Sequence, residues 1–324
     1  ACLEMALTGT TCFCDMYLHE GQVAEAVLKA GLRAVLAPGL LDAPGPEVGE
    51  RLFRDAVRVF ERYDGAGDGR IKVVFGPHAV YTCSEELLER VRDKARELGT
   101  GIHIHLAETE QEVRDCLAEH GRTPAELLDQ LGLLGPGTSA AHCVHLSDAD
   151  MALLAERGAK VVHCPVANAK LGVGVARVPE MLSSGLAVGL GTDGPASNNS
   201  LDMFEVVKFA CLLQKAARAD PTVLKAREAL EMATLGGARV LDLEGQIGSL
   251  EPGKRADFVV LDLREVGMAP LHDIYAILAY SVGQRAVEAV FVDGEPVVLD
   301  RRPVRVDMAE VVEQATRAAE ELVS

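Results

Sequence analysis

The stretch HIHLAE, residues 103–108, places two histidines on alternate positions of a predicted strand, with a glutamate three residues after the second. Alternate residues of a strand face the same side, so His103 and His105 point in the same direction. The positions between them are apolar, and the amphipathic stretch EQEVRDCLAEHG follows after Thr109. A strand that is apolar on both faces and is followed by a helix ending at glycine is typical of a parallel sheet with helical crossovers.

The same unit recurs along the chain, which contains about seven β-rich runs, each followed by an amphipathic stretch. No GxGxxG turn follows the first run, so a barrel is favoured over a doubly wound sheet. A complete barrel needs one more strand, and the deficit falls at the N-terminal end. We therefore predict the α/β class and a (β/α)8 TIM-type barrel whose first strand is missing from this chain. The runs are TTCFCDMY, RAVLAPGL, IKVVFGPH, GIHIHLAE, TSAAHC, KVVHCPV and LAVGLGTD.

The C-terminal quarter of the chain has a different pattern. The stretches QIGSLEPGKRADFVVLDL and AVEAVFVDGEPVV predict short antiparallel strands, and Asp293 with Gly294 predicts a hairpin turn. A closing helix is predicted from about residue 306 to residue 322. The predicted organisation is a barrel over residues 1–242, a β-sandwich portion over 243–300 and a C-terminal helical segment over 301–324.

Composition excludes several kinds of partner. The 324 residues include 32 Lys plus Arg against 49 Asp plus Glu, and the basic residues are scattered, which argues against a nucleic acid or an anionic membrane as partner. No segment approaches the roughly 20 apolar residues that a membrane span needs. The eight cysteines include no CxxC pair and lie mostly in apolar runs. They are expected to be reduced thiols, which predicts a cytoplasmic protein.

Polar residues recur where the predicted strands end. Such ends lie on one face of a barrel, where active sites are built, so residues distant in sequence are expected to converge. Taken singly, a histidine at a strand end is usually a satisfied polar residue, and an aspartate in GTDG is a common turn residue or helix N-cap. The set is harder to explain as coincidence, and a joint site is favoured. Its members are His78, His105, Glu108, His142 and Asp193.

Imidazole and carboxylate groups together predict one divalent metal, with zinc favoured and iron as the alternative. A catalytic site of this kind leaves a position for water, whose pKa falls to about 7. Glu108 is placed to shuttle a proton, and Asp193 to bind metal and take the proton of the water. His103 is assigned a structural or supporting role.

These residues, in this order, resemble the amidohydrolase superfamily, and more narrowly its S-adenosylhomocysteine and methylthioadenosine deaminases, with triazine hydrolases nearby. The resemblance implies a metal-dependent barrel, a small β-sandwich made from both chain ends, a small-molecule nucleoside substrate and a homo-oligomer. The matching segments span nearly the whole chain. They are GTTCFCDMY, FGPHAVYTCS, HIHLAETEQE, AAHCVHL, HCPVANAKLG, GTDGPASNNSLDMF and GSLEPGKRADFVVLD.

The resemblance also implies a role for each matching residue. His105 and Asp193 match metal ligands, and Glu108 and His142 match the catalytic acid/base and the residue that assists the activated water. The implied substrate contacts are His78, Ser197 and, in GPEVGER, Arg51. Pro38 stands where some adenosine-type members carry a further arginine.

The family's first strand carries an HxH pair that supplies two more metal ligands and lies upstream of the segment matching ACLEM, so this chain is expected to be a fragment or a truncated form.

The implied reaction is hydrolytic deamination at C6 of an adenine-type ring. The alternatives are an aminohydrolase or chlorohydrolase acting on guanine or an s-triazine, and a catalytically silent barrel that binds a ligand. A dinuclear, dihydroorotase-like enzyme is less favoured, because the sequence GPH ends the strand where that branch carries a bridging lysine.

Overall fold

Thirteen strands and sixteen α-helices make up the computed structural model, which describes residues 1–323. The strands are β1 (Cys12–Asp15), β2 (Arg33–Leu36), β3 (Gly39–Leu40), β4 (Ile71–Val73), β5 (Gly76–Pro77), β6 (Ile102–Leu106), β7 (Thr138–His142), β8 (Lys160–His163), β9 (Val188–Leu190), β10 (Phe258–Leu261), β11 (Val287–Val292), β12 (Glu295–Leu299) and β13 (Arg302–Pro303).

The helices are α1 (Cys2–Leu7), α2 (Glu20–Ala30), α3 (Pro46–Tyr63), α4 (Ala66–Gly69), α5 (Glu85–Leu98), α6 (Glu110–His120), α7 (Pro124–Gln130), α8 (Asp148–Arg157), α9 (Pro165–Leu171), α10 (Val178–Ser183), α11 (Pro195–Asn198), α12 (Met203–Arg218), α13 (Ala226–Glu231), α14 (Gly237–Val240), α15 (Ile274–Tyr280) and α16 (Met308–Val323). A π-helical turn, Met232–Gly236, joins α13 to α14. None of the helices within residues 1–323 is both long and apolar enough to cross a membrane.

Seven of the strands are parallel, and their order in space is their order in the sequence. The order β1-β2-β4 makes one sheet and β6-β7-β8-β9 another, and a parallel bridge between Phe75 and Ile102 connects the two. A doubly wound sheet would reverse its strand order at a switch point, whereas sequential order is that of a (β/α) barrel. The predicted barrel architecture is confirmed, and residues 1–323 contribute seven strands to it.

Two of the predicted strand runs are interrupted. Residues 33–40 form β2 and β3, and residues 71–78 form β4 and β5, with β3 and β5 pairing separately. At the second break a Cβ on Gly76 would lie 2.6 Å from the main-chain oxygen of Ala37, so only glycine permits this close approach. The break therefore has a steric cause that strand periodicity does not reveal.

An antiparallel sheet, β10-β11-β12-β13, forms the predicted β-rich portion. The hairpin between β11 and β12 turns at Asp293 (φ 53°) and Gly294 (φ 76°), as predicted; both are left-handed, as a type I′ turn requires. Valines of this sheet share a buried core with Met5 of α1 and Val27 of α2, so α1 packs between the sheet and the barrel. The bounds predicted for the three segments remain a prediction.

A buried arginine also connects the barrel to this sheet. The guanidinium of Arg33, at the start of β2, donates to both carboxylate oxygens of Asp257, at 2.8 Å and 3.1 Å, and to Asp293 at 2.8 Å. Arg70 donates to the other oxygen of Asp293 at 3.0 Å. The Asp257 and Asp293 carboxylates raise the pKa of Arg33 despite burial, which acts in the opposite direction, and the guanidinium remains charged.

Candidate active site

The carboxyl ends of the parallel strands bring three histidine rings together. The rings of His105, on β6, and His142, on β7, are stacked with centroids 5.3 Å apart and planes inclined by 19°. The ring of His78, which follows β5, lies 4.8 Å from that of His105. The predicted convergence of these three side chains is therefore what the structure shows, and parallel pairing of β6 with β7 brings His105 and His142 together.

One of these rings is oriented by the main chain. Nδ1 of His105 lies 2.8 Å from the main-chain oxygen of His78, and because a carbonyl only accepts, Nδ1 carries the hydrogen. The lone pair of Nε2 is then free. Burial, followed by the nearby His142, lowers the pKa of His105 to about 4, while the Asp193 carboxylate opposes the shift. The ring is therefore neutral near pH 7, which is the form that binds a metal.

His142 is held by its backbone and by an amide. Its φ of 69° is left-handed, a conformation that costs a non-glycine residue about 1–3 kcal/mol and is concentrated at functional sites. Nδ1 lies 2.9 Å from Oδ1 of Asn168, in α9. Nε2 lies 3.9 Å from a carboxylate oxygen of Glu108, too far for a direct hydrogen bond. The Nε2 side of the imidazole thus faces the predicted acid/base.

The loop that carries Glu108 is fixed by a second glutamate that the sequence interpretation missed. The main-chain N–H groups of Ala107 and Glu108 donate to the two oxygens of the Glu112 carboxylate at 2.9 Å and 2.8 Å. Thr109 caps α6 and accepts the N–H of Glu112 at 3.0 Å. The spacing of Thr109 and Glu112 resembles a capping box and is the signal that could have pointed to this support.

Asp193 lies in a tight turn three residues after β9, with a φ of 61°. Its Oδ2 accepts the hydroxyl of Ser197 at 2.6 Å, and its Oδ1 accepts the N–H of Gly194 at 2.6 Å. Each carboxylate oxygen has further acceptor capacity. Asp193 and Ser197, two of the predicted site residues, are therefore in direct contact with each other.

Arg51 lies apart from the histidines, on the exposed side of α3. It lines two open cavities, of about 700 Å³ and about 800 Å³, and among residues 1–323 neither is lined by the three clustered histidines. The larger cavity also has Pro38, Tyr17 and Leu18 on its walls. The predicted contact of Arg51 with the far end of a substrate remains a prediction.

Glu20, which the sequence interpretation did not single out, lines the same larger cavity. Its side chain is 1% exposed; Oε1 accepts the N–H of Tyr17 at 2.9 Å, and Oε2 has no partner within residues 1–323. Burial, with the charge of Asp15 as the second cause, raises the pKa of Glu20 to about 9. Glu20 shares the buried face of α2 with Ala24 and Val27, but an acidic residue in the first turn of a helix is common at the surface, so its type did not mark it as buried.

Two further histidines lie in the interior of the barrel. His103 is buried, and its Nδ1 lies 2.8 Å from the hydroxyl of Ser139, which fits the supporting role predicted for it. His163, at the end of β8, is 1% exposed, and neither of its ring nitrogens has a partner among residues 1–323. Burial lowers the pKa of both rings to about 3, so both are neutral.

The donor atoms at the strand ends fit part of a metal site. His105 offers a neutral imidazole with its second nitrogen already bonded, the usual arrangement of a histidine ligand, and Asp193 offers a carboxylate. Within residues 1–323, no group of three or more His, Cys, Asp or Glu side chains is arranged to hold a metal ion. His105 and Asp193 therefore fit as members of a ligand set. The further ligands expected from an HxH pair stay a prediction.

A parallel barrel with imidazole and carboxylate groups at the carboxyl ends of its strands defines the class of metal-dependent barrel hydrolases. Residues 1–297 match the model of the amidohydrolase family, and the chain belongs to that family.

The similar proteins share most of their length with this chain. A 5-methylthioadenosine/S-adenosylhomocysteine deaminase of Desulforudis audaxviator is 47% identical over 321 residues, which cover 99% of this chain and 74% of that protein. A 5'-deoxyadenosine deaminase of Methanosarcina mazei is 44% identical, covering 100% and 74%. The crystal structure of an adenosine deaminase from Xanthomonas campestris with bound zinc superposes with a TM-score of 0.94 at 37% identity, covering 98% and 73%. The predicted resemblance is thus confirmed.

Proposed function

We propose that the protein is a metal-dependent hydrolytic deaminase of an adenosine-type nucleoside that replaces the amino group of the ring by oxygen and releases ammonia. The observation that carries the proposal is the convergence of His105, His142 and Glu108 at the strand ends. The relatives that are 47% and 44% identical over nearly the whole chain bear the names of adenosine-type deaminases, which supports this substrate class.

One divalent metal, proposed to be zinc because the Xanthomonas campestris structure contains it, would be held by His105 and Asp193 together with further ligands. When bound, the metal supplies a Lewis acid that lowers the pKa of a water to about 7. The neutral state of His105 and the fixed Asp193 carboxylate support their assignment as ligands.

Three side chains perform the proton transfers to and from the ring of the nucleoside substrate. Glu108 protonates the ring nitrogen next to the carbon that the water attacks, which makes that carbon more electrophilic. His142 accepts a hydrogen bond from the attacking water through Nε2, and Asp193 takes up its proton. Asp193 then delivers that proton to the amino group, the carbon–nitrogen bond breaks and ammonia leaves, while the new hydroxyl returns its proton to Glu108 and becomes the ring carbonyl.

His78 and Ser197 are proposed as contacts to the ring, and Arg51 as the contact to the far end of the nucleoside. The assignment of His78 is supported by its edge-on contact with the ring of the exposed Tyr81, with centroids 5.9 Å apart. Arg51 has a guanidinium suited to a carboxylate such as that of S-adenosylhomocysteine.

The test is ammonia release by the metal-loaded protein from methylthioadenosine, S-adenosylhomocysteine, 5'-deoxyadenosine, adenosine and guanine, together with chloride or ammonia release from an s-triazine. The unmodified protein should favour an adenosine-type substrate in kcat/KM. Glu108→Gln should lower kcat by about 10²–10⁴-fold, whereas the matched control Glu110→Gln, an exposed residue of α6, should retain full activity.

A preference for guanine or the triazine would overturn the substrate class. Binding of the nucleoside without turnover, in the presence of bound metal, would instead indicate a catalytically silent barrel. The homo-oligomeric state and the cytoplasmic location stay predictions.

A further inference from the structure

An amide next to the histidine cluster controls which nitrogen of His142 carries the hydrogen. The side chain of Asn168 is 1% exposed, and its Oδ1 lies 2.9 Å from Nδ1 of His142. An amide oxygen has no hydrogen to give, so the hydrogen in this bond belongs to Nδ1. In the neutral imidazole, Nε2 is then an acceptor with a free lone pair.

The direction of that lone pair is set by the backbone. His142 is held at a φ of 69°, and the following Cys143 at 51°, so two successive residues are left-handed where β7 ends. In this geometry Nε2 points toward Glu108, with 3.9 Å between Nε2 and the nearer carboxylate oxygen. This distance exceeds a direct hydrogen bond, so the two groups face each other without being bonded and can contact a common reacting atom.

We propose that Asn168 is a positioning residue of the reaction, which keeps His142 in the Nδ1–H tautomer and thereby keeps Nε2 available as an acceptor for the attacking water. The inference rests on the proposed function for its catalytic consequence, while the tautomer itself is independent of any activity. Asn168 lies on α9, five residues after the end of β8, and touches the reaction only through His142.

The arrangement parallels that of His105 but differs in one useful respect. His105 is held in the same tautomer by a main-chain oxygen, which no side-chain substitution removes. His142 depends on the side-chain oxygen of Asn168, whose amide nitrogen has no partner among residues 1–323. The tautomer of His142 can therefore be changed by substitution at one position.

The first measurement is the tautomer, read from the nitrogen chemical shifts of histidine in the zinc-loaded, ¹⁵N-histidine-labelled protein, with the His142 signal assigned by its loss in His142→Gln. A hydrogen on Nδ1 of His142 is expected, and a hydrogen on Nε2 would overturn the proposal. The measurement needs no substrate, so it decides the role of Asn168 even if no deaminase activity is found.

The second measurement uses variants. Asn168→Leu removes the acceptor, and we expect a mixture of tautomers and a fall in kcat of about 10–100-fold with KM unchanged. Asn168→Asp retains an acceptor oxygen, and it should keep the Nδ1–H tautomer and a larger share of kcat than Asn168→Leu.

The matched control is Gln214→Leu, which also removes a buried amide with one hydrogen bond, to the main-chain oxygen of Ala176 at 2.7 Å. It should lower stability and leave the tautomer and kcat unchanged. If folded Asn168→Leu protein has the kcat of the unmodified protein, the proposal is overturned. It is also overturned if Gln214→Leu lowers kcat as much as Asn168→Leu does.

Discussion

His105 donates its Nδ1 hydrogen to the main-chain oxygen of His78 across 2.8 Å, so the end of one strand run orients the proposed metal ligand on the next. The bond depends on the backbone of residue 78 and not on its imidazole. The proposed roles of His105 in metal binding and of His78 in substrate binding can therefore be tested by separate substitutions, because replacing the His78 side chain leaves its main-chain oxygen in place.

Metal content provides the first prediction. His105→Gln should reduce the metal retained by the purified protein relative to the unmodified protein, because a proposed ligand is lost. His78→Ala is the matched control: it keeps the orienting carbonyl, so it should retain its metal while KM for the nucleoside rises. Elemental analysis without added metal or chelator measures both. Equal metal content in the two variants would contradict the assignment of His105 as a ligand.

A second prediction concerns Arg51 and the far end of the substrate. Arg51→Met should weaken kcat/KM for S-adenosylhomocysteine, which carries a carboxylate, by about 10–100-fold, because a charge-assisted hydrogen bond is worth about 1.5–3 kcal/mol. The effect on 5'-deoxyadenosine should be small, since that nucleoside has no carboxylate. Arg54→Met is the control, because Arg54 lines only the smaller of the two cavities. An equal loss for both substrates would show that Arg51 does not recognise the carboxylate.

Much of this architecture could be predicted because strand ends in a parallel sheet share one edge. His105 and His142 belong to neighbouring strands in register, and Leu106 pairs directly with His142, so their convergence follows from strand order alone. The hairpin at Asp293 and Gly294 was predictable from local chemistry, since that dipeptide tolerates the left-handed backbone of a tight turn.

The supporting residues were not predictable, because their partners are distant and their positions carry no period. Asn168 and Glu112 look like ordinary residues of short helices, yet one fixes a tautomer and the other fixes the Glu108 loop. Arg33 reads as a polar end of a strand, although its partner Asp257 lies 224 positions further along the chain. Only tertiary packing brings such groups together.

A third prediction concerns this ion pair, in which the Arg33 and Asp257 side chains are 1% and 2% exposed. Arg33→Met should lower the free energy of unfolding by about 3–5 kcal/mol, because the buried Asp257 carboxylate loses its compensating charge, whereas Asp293 keeps its pair with Arg70. Arg58→Met removes an exposed pair with Asp55 and should cost less than about 0.5 kcal/mol. Urea unfolding midpoints compare the two, and similar midpoints would indicate that the buried pair does not stabilise the contact between barrel and sheet.

The pH dependence of stability gives a fourth prediction, centred on Glu20. Its pKa is raised by burial to about 9, whereas an unfolded glutamate titrates near about 4.3. Between these values the folded protein holds a proton that the unfolded chain has released, so the stabilising contribution is complete at low pH and is lost as the pH rises toward 9. The loss for one such group is at most about 1.4 kcal/mol per pH unit.

Glu20→Gln removes this titration while keeping the shape of the side chain, so its stability relative to the unmodified protein should increase steadily from about pH 5 to about pH 8. The control Glu61→Gln changes an exposed glutamate of α3 and should follow the unmodified protein at every pH. Thermal or urea unfolding across this range measures the difference. If the difference between Glu20→Gln and the unmodified protein does not change with pH, Glu20 is already ionised in the folded protein, and a positive group or a hydrogen-bond donor must reach its second carboxylate oxygen.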